Sequence, residues 1–243
     1  MKKRSVKCVL TVVFLLIFLG SGGFLAWKLA DYWNGDRNYE KAAQIAQEEQ
    51  PAEQNEESSP AQVNLAALQE VNHEVIGWLM IEGTEISYPL MQGSDNDYYL
   101  NHTWDGTRSA VGAIFLDCRN SSDLQDFNSV IYGHKMNNDS MFGLLHEYKN
   151  QGYWEAHPTL CLTTSSGVFR YDIFAYYETG TISTYSRDFV DDQTKQAYID
   201  ECLTQAMTDT GIRPEVDDHI LTLSTCTGNG HATRWVVQAV HRE

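Results

Sequence analysis

The side chains best suited to covalent chemistry in this 243-residue chain are Cys226, Arg234 eight positions on, and the distant His134. Leu221-Thr222-Leu223-Ser224-Thr225-Cys226 alternates as a strand does, with Thr222, Ser224 and Cys226 on one face and Leu221, Leu223 and Thr225 on the other. A seven-residue loop, Thr227 to Thr233, holds Gly228-Asn229-Gly230, and Arg234-Trp235-Val236-Val237 reads as the returning strand. If the two strands pair as a hairpin, Cys226 and Arg234 face each other with Cβ atoms about 5 Å apart. A guanidinium keeps its charge, so it favours the thiolate form of a neighbouring thiol. It can also stabilise the oxyanion formed when sulfur attacks a carbonyl carbon. Such an attack needs a group that moves protons near neutral pH, which histidine does. His134 ends the apolar run Val130-Ile131-Tyr132-Gly133, where the glycine permits a sharp turn. His231, five positions after Cys226, is its rival. The plain alternative is a buried strand-end thiol, a surface arginine and an exposed loop histidine.

These side chains need a scaffold. Strand-like runs recur at Ile81–Leu90 (a pair about Glu82-Gly83-Thr84), Ala113–Asp117, Ser129–Tyr132, Tyr153-Trp154, Thr159–Thr163 and Val168–Tyr177, with a hairpin turn at Ser165-Ser166-Gly167. Short helices are expected at Asn64–Val71, after Asp95-Asn96-Asp97, and at Met141–Tyr148. One longer helix, Asp191 to Thr208, carries Ala197, Tyr198, Cys202 and Met207 as its apolar positions. With the two final strands the count is about eight, mostly short-linked, which predicts a mainly β architecture, an antiparallel barrel or sandwich.

The N-terminus is of another kind. Lys2, Lys3, Arg4 and Lys7 precede an uncharged stretch from Cys8 to Trp27, about 20 residues and long enough to span a bilayer. The basic flank predicts an uncleaved signal anchor with its N-terminus inside the cell and the remainder outside. Residues 31–63 are polar and broken by Pro51 and Pro60, which reads as a spacer. Five of the 17 basic residues lie within residues 1–30 and none of the 33 acidic ones does, so the remainder holds 12 basic against 33 acidic, a formal charge of −21. Such a surface does not favour nucleic acid. Of five cysteines Cys8 falls in the apolar stretch. Cys118, Cys161 and Cys202 are expected as buried thiols, and the absence of any Cys-x-x-Cys gives no support to a zinc site.

Thr222-Leu223-Ser224-Thr225-Cys226 with Arg234 resembles the signature of the sortases, cysteine transpeptidases of Gram-positive cell surfaces. The segments Val130–His134 with Met136 and Ser140–Leu145, Gly112–Asp117 with Arg119-Asn120, and Asp95–Leu100 are similar to the class B branch, and the resemblance runs in order over residues 64–243. It implies an eight-stranded sortase barrel with short N-terminal helices and a helix between late strands. Cys226 would be the nucleophile, His134 the general acid/base and Arg234 the oxyanion stabiliser. Asn96, Leu100, Tyr185 and Ser224 would line a groove for a sorting peptide, Asn96 and Leu100 sharing a helical face. Thr225 is a further candidate for the groove or oxyanion hole. The class A acidic triplet has no counterpart, so no metal and no cofactor is expected; Asp95, Asp97, Asp191 and Asp192 read as helix-start carboxylates. The implied partners are secreted proteins ending in a sorting signal of the pattern (Asn/Ser/Pro)-Pro-x-Thr-(Gly/Asn), a peptidoglycan amine, and the membrane through the N-terminal helix. Two other readings stay open: a pilin polymerase with a lysine acceptor, and an anchored peptide-binding module in which Cys226 is incidental.

Overall fold

In the computed structural model of the protein the described residues are 2–47, 63–180, 182–228 and 233–241. A long helix α1 (Lys2–Gln47) and a short one, α2 (Leu65–Val71), precede a barrel. Its strands are β1 (Val75–Ile81), β2 (Ser87–Met91), β3 (Ile114–Leu116), β4 (Asn128–Tyr132), β5 (Thr159–Thr164), β6 (Gly167–Thr179), β7 (Ile220–Cys226) and β8 (Arg234–His241). They close in the order β1-β2-β3-β4-β7-β8-β6-β5. The architecture is thus the expected mainly β barrel of eight strands.

The sheet is mixed rather than antiparallel, because β2 pairs with β3 and β4 with β7 in parallel. Parallel neighbours need long crossovers, and the segments Gln92–Ala113 and Gly133–His219 supply them. A second departure is at Tyr153-Trp154, which form one helical turn, α3 (Tyr153–Ala156), and not a strand. Gly152 enters it with φ 86°, and the Trp154 indole N–H is spent on the Ile173 carbonyl at 2.8 Å. Two adjacent aromatic residues imitate β-propensity there. The late helix α4 (Asp192–Gln205) is shorter than the spacing predicts. Asp191 caps it, accepting from the Thr194 N–H, and Tyr198, Ile199 and Cys202 are its buried residues; Ala197 and Met207 lie outside that stripe and are exposed.

Alternation sorts the barrel residues. Leu221, Leu223, Val237 and Ala239 join the main core with Leu79, Leu90, Ile114 and Ile131. The opposite faces of β6, β7 and β8 present Phe174, Ile220, Val236 and Val240 to α4. Each fully buried aliphatic side chain contributes about 1.5–3 kcal/mol.

Within α1, residues 13–47 are long and apolar enough at their start to cross a membrane, by length and composition. Residues 31–47, expected as spacer, continue this helix, and Tyr39, Ala42 and Ala46 (spacing i, i+3, i+7) are buried against the barrel core. The Asn64 N–H donates to the Ala46 carbonyl at 2.9 Å, tying the two helices together. The rest of the expected spacer, residues 48–62, lies outside the described residues. Cys118, Cys161, Cys202 and Cys226 are free thiols; Cys161 and Cys202 are buried as expected, while Cys118 is half-buried. Burial, with the Glu82 carboxylate beside it, pushes the Cys161 thiol up to about 11.

Candidate active site

Three neighbouring strands bring the chemistry together. Tyr132 of β4 pairs with Ser224 of β7, and the Gly133 N–H extends the ladder to the Ser224 carbonyl at 3.2 Å. Two residues beyond that pair, running in the same direction, come His134 and Cys226. On its other side β7 pairs with β8, and the register sets Cys226 opposite Arg234, as the hairpin pattern predicts. All three candidates stand at one rim of the barrel. The Lys135 ammonium reaches the Thr227 carbonyl at 3.5 Å along the same edge. The base of the β7–β8 loop is closed by Thr227 and Thr233, whose hydroxyls are 2.8 Å apart. His231 lies outside the described residues.

The imidazole of His134 is held by geometry. Its Nε2 is 2.7 Å from the Leu100 carbonyl oxygen. A carbonyl only accepts, so Nε2 carries the proton in this hydrogen bond and Nδ1 is left for proton transfer. Gly112 packs under the ring: a Cβ there would lie 2.9 Å from His134 Cδ2, 2.7 Å from the Tyr99 oxygen and 3.0 Å from the Leu100 oxygen, and its φ is +64°. Both the space and the left-handed backbone call for glycine. Gly133 is a glycine for a different reason from the turn first supposed. A Cβ there would be driven against Ile114 and to 2.7 Å from the Phe142 ring.

The groove candidates divide. Tyr185 donates or accepts at 2.9 Å with the Ser224 hydroxyl, and Ser224 shares the Cys226 face of β7. Burial raises the Tyr185 phenol, the Ser224 hydrogen bond and the Arg234 charge lower it, and Cys226 raises it. Tyr185 is therefore electrostatic neighbour to both Cys226 and Arg234. Leu100 is 40 % exposed, so its side chain is open to solvent while its carbonyl holds His134.

Asn96 and Leu100 do not share a helix. The helical turn is a single 3-10 turn, Tyr98–Leu100, and Asn96 precedes it. Asp95 accepts from the Asp97 and Tyr98 N–H groups at 2.8 Å, which starts the turn late. Asn96 instead accepts from the Cys118 N–H at 2.8 Å. The Thr225 side chain faces the barrel interior. It is 2 % exposed, on the inward face of β7 opposite Trp235, and its hydroxyl has no partner among the described residues. Alternation turns its side chain away from Cys226.

Two supporting clusters escape sequence reasoning. Asp117, fully buried, accepts from the Arg119 backbone and guanidinium at 2.7–3.0 Å and from the Tyr132 hydroxyl at 3.0 Å, with Arg187 at 3.5 Å. Burial works to raise its pKa, but the hydrogen bonds from Arg119, Asn96 and Tyr132 outweigh it and hold the carboxyl below the usual range. The Tyr132 ring lies 6.1 Å from that of Tyr185, so this hub props the aromatic wall. Its signal was the Asp-x-Arg spacing of Asp117 and Arg119. The second cluster lies beneath α4. Asn128 donates to the Ser186 carbonyl at 2.9 Å and accepts from Thr222 at 2.7 Å. Gln238 donates to Thr222 and Tyr198, and Tyr198 donates to the Thr184 carbonyl at 2.9 Å. These bonds hold the segment that presents Tyr185.

Comparison with known proteins gives relatives of one kind. A family model described as the sortase domain matches residues 79–242. Sortase B of Listeria monocytogenes is 35% identical over 225 residues, 89% of this chain and 88% of that protein. A structure of sortase B from Bacillus anthracis superposes with a TM-score of 0.78 at 30% identity, covering 88% of this chain and 99% of that one. A Staphylococcus aureus sortase B–substrate complex gives 0.78 at 29% identity, with 88% and 99% covered. A closed barrel of this strand order, a cysteine, histidine and arginine at one rim, and relatives of one kind across nearly the whole chain lead to one conclusion: the protein belongs to the sortase family, and its relatives are of the B type.

Proposed function

We propose that this sortase is a membrane-anchored transpeptidase that cuts a C-terminal sorting signal after threonine and joins the new carboxyl to an amine of the cell wall. The observation that carries the reading is the convergence of His134, Cys226 and Arg234 on the ends of adjoining strands, with His134 oriented by Leu100. Cys226 passes its proton to His134 Nδ1 and attacks the threonine carbonyl. Arg234 balances the charge on the tetrahedral oxygen. Its collapse breaks the peptide bond, His134 gives the proton to the departing amine, and a threonine thioester on Cys226 remains. An incoming amine loses a proton to His134, attacks the thioester and frees the thiol.

Tyr185, Ser224 and Leu100 flank this path and serve as the peptide-binding wall. The Staphylococcus aureus relative was solved as a substrate complex, which supports a peptide occupying the corresponding groove. The signal is of the (Asn/Ser/Pro)-Pro-x-Thr-(Gly/Asn) pattern and the acceptor is a peptidoglycan amine. Residues 64–243 form the catalytic domain outside the cell, with α1 as a single-pass anchor whose N-terminus is inside.

The test is cleavage of quenched peptides carrying Asn-Pro-x-Thr-Asn, Ser-Pro-x-Thr-Gly, Pro-Pro-x-Thr-Gly and Leu-Pro-x-Thr-Gly, read by mass spectrometry. Cleavage after threonine that disappears in Cys226→Ala and falls by a factor of 100 or more in Arg234→Ala, about the loss of an oxyanion donor, supports the mechanism. Cleavage that survives in Cys226→Ala overturns it.

A further inference from the structure

We propose that Tyr39, on the helix leading out of the membrane, is a positioning residue for His134 and acts through the Gly112 peptide. The inference takes from the preceding section only the role of His134 as acid/base. Tyr39 is buried, and its hydroxyl donates to the Gly112 carbonyl at 2.6 Å. The ring is fixed edge-on to Tyr88, with centroids 5.2 Å apart. Burial raises the phenol well above its ordinary value, so the hydroxyl is a donor at every working pH.

What Tyr39 grips is the floor of the imidazole. The space a Cβ on Gly112 would fill is bounded by His134 Cδ2 and by the carbonyls of Tyr99 and Leu100. The neighbouring Ala113 N–H donates to the Tyr99 carbonyl at 2.9 Å. The Leu100 carbonyl, in turn, fixes the tautomer and the direction of His134. A shift of the Gly112 peptide therefore moves both the surface under the ring and the acceptor that orients it. Positional errors of about 1 Å at reacting groups cost on the order of 100-fold in rate.

Other contacts tie α1 to the same loop without touching Gly112. Asn38 donates to the Thr103 hydroxyl at 3.1 Å and to Asp105 at 3.0 Å. Stability contributed by α1 docking can thus be separated from positioning of the ring.

The experiment uses the full chain in detergent micelles. Tyr39→Phe removes one hydroxyl and keeps the packed ring; Asn38→Ala removes the two docking hydrogen bonds to Thr103 and Asp105. Peptide cleavage is measured for kcat, KM and pH profile, and the His134 ring is titrated by NMR. We expect Tyr39→Phe to lower kcat about fivefold with KM within twofold, and to shift both the pH profile and the His134 titration. Asn38→Ala is expected to lower the melting temperature comparably and to leave kcat, the profile and the titration as in the wild type. A Tyr39→Phe protein with wild-type kcat and titration, or an Asn38→Ala protein that reproduces its losses, overturns the proposal. If the wild type cleaves none of the peptides, the functional reading fails by itself, and the His134 titration still decides whether Tyr39 reaches the ring.

Discussion

Gly112 is where a single methyl group would meet the His134 ring. An alanine there must hold a φ of +64° and set its Cβ 2.9 Å from the His134 ring. Gly112→Ala is expected to keep the barrel folded by circular dichroism and to cut peptide cleavage by at least about tenfold. Tyr185 is a gentler probe. Tyr185→Phe loses the 2.9 Å hydrogen bond to Ser224 and nothing of the ring. A loss of about 1 kcal/mol is expected, seen as a roughly fivefold rise in KM with little change in kcat. Asp117 contributes to the dependence of stability on acid. Its pKa is lower in the folded protein than in the unfolded chain, so ionised Asp117 stabilises the fold above about pH 4. That contribution drains away as pH falls through the folded value. Urea midpoints from pH 6 down to pH 2 are expected to fall less steeply in Asp117→Asn than in the wild type; parallel curves would refute the assignment.

At the scale of elements, α4 and the buried polar cluster below it hold the segment that carries Tyr185. Tyr198→Phe deletes the hydroxyl that donates to Thr184 and accepts from Gln238. It is expected to cost about 1–3 kcal/mol of stability and to speed amide exchange in residues 182–186, with KM rising more than kcat falls. Much of the rim was legible because it is local: alternation and a seven-residue loop put Cys226 opposite Arg234, as β7 and β8 do. His134 could be named but not brought to Cys226 from composition or spacing, since the parallel β4–β7 pair joins residues some ninety positions apart and such pairing leaves no short-range signal. The placements of Thr225 and Asn96 were not legible, for opposite reasons. One sits a single alternation step from Cys226, and the other lies before a helix that begins later than its aspartates suggest. Tyr39 was hidden by its neighbours, since Arg37, Glu40 and Lys41 give a packed stripe the look of a spacer.

For the whole molecule, an acidic remainder of formal charge −21 beyond residue 30 is carried on a basic-flanked apolar helix. Among the described residues no hinge separates the two, because α1 runs unbroken from Lys2 to Gln47 and its last turns are built into the barrel. Eleven residues separate Lys28 from Tyr39, a rise of about 16 Å. With α1 as the proposed anchor, the continuous helix would be a stilt of fixed length, holding the rim at one altitude above the lipid instead of letting it sweep a volume. On that reading a substrate still embedded in the same bilayer would have to lift its threonine to that level with its own stalk. Seven residues added within α1 after Asp31 would raise the rim by about 10 Å while nearly preserving its facing. Cleavage of a short-stalked, bilayer-embedded substrate should then drop, that of a longer-stalked one should recover, and that of a free peptide should stay the same.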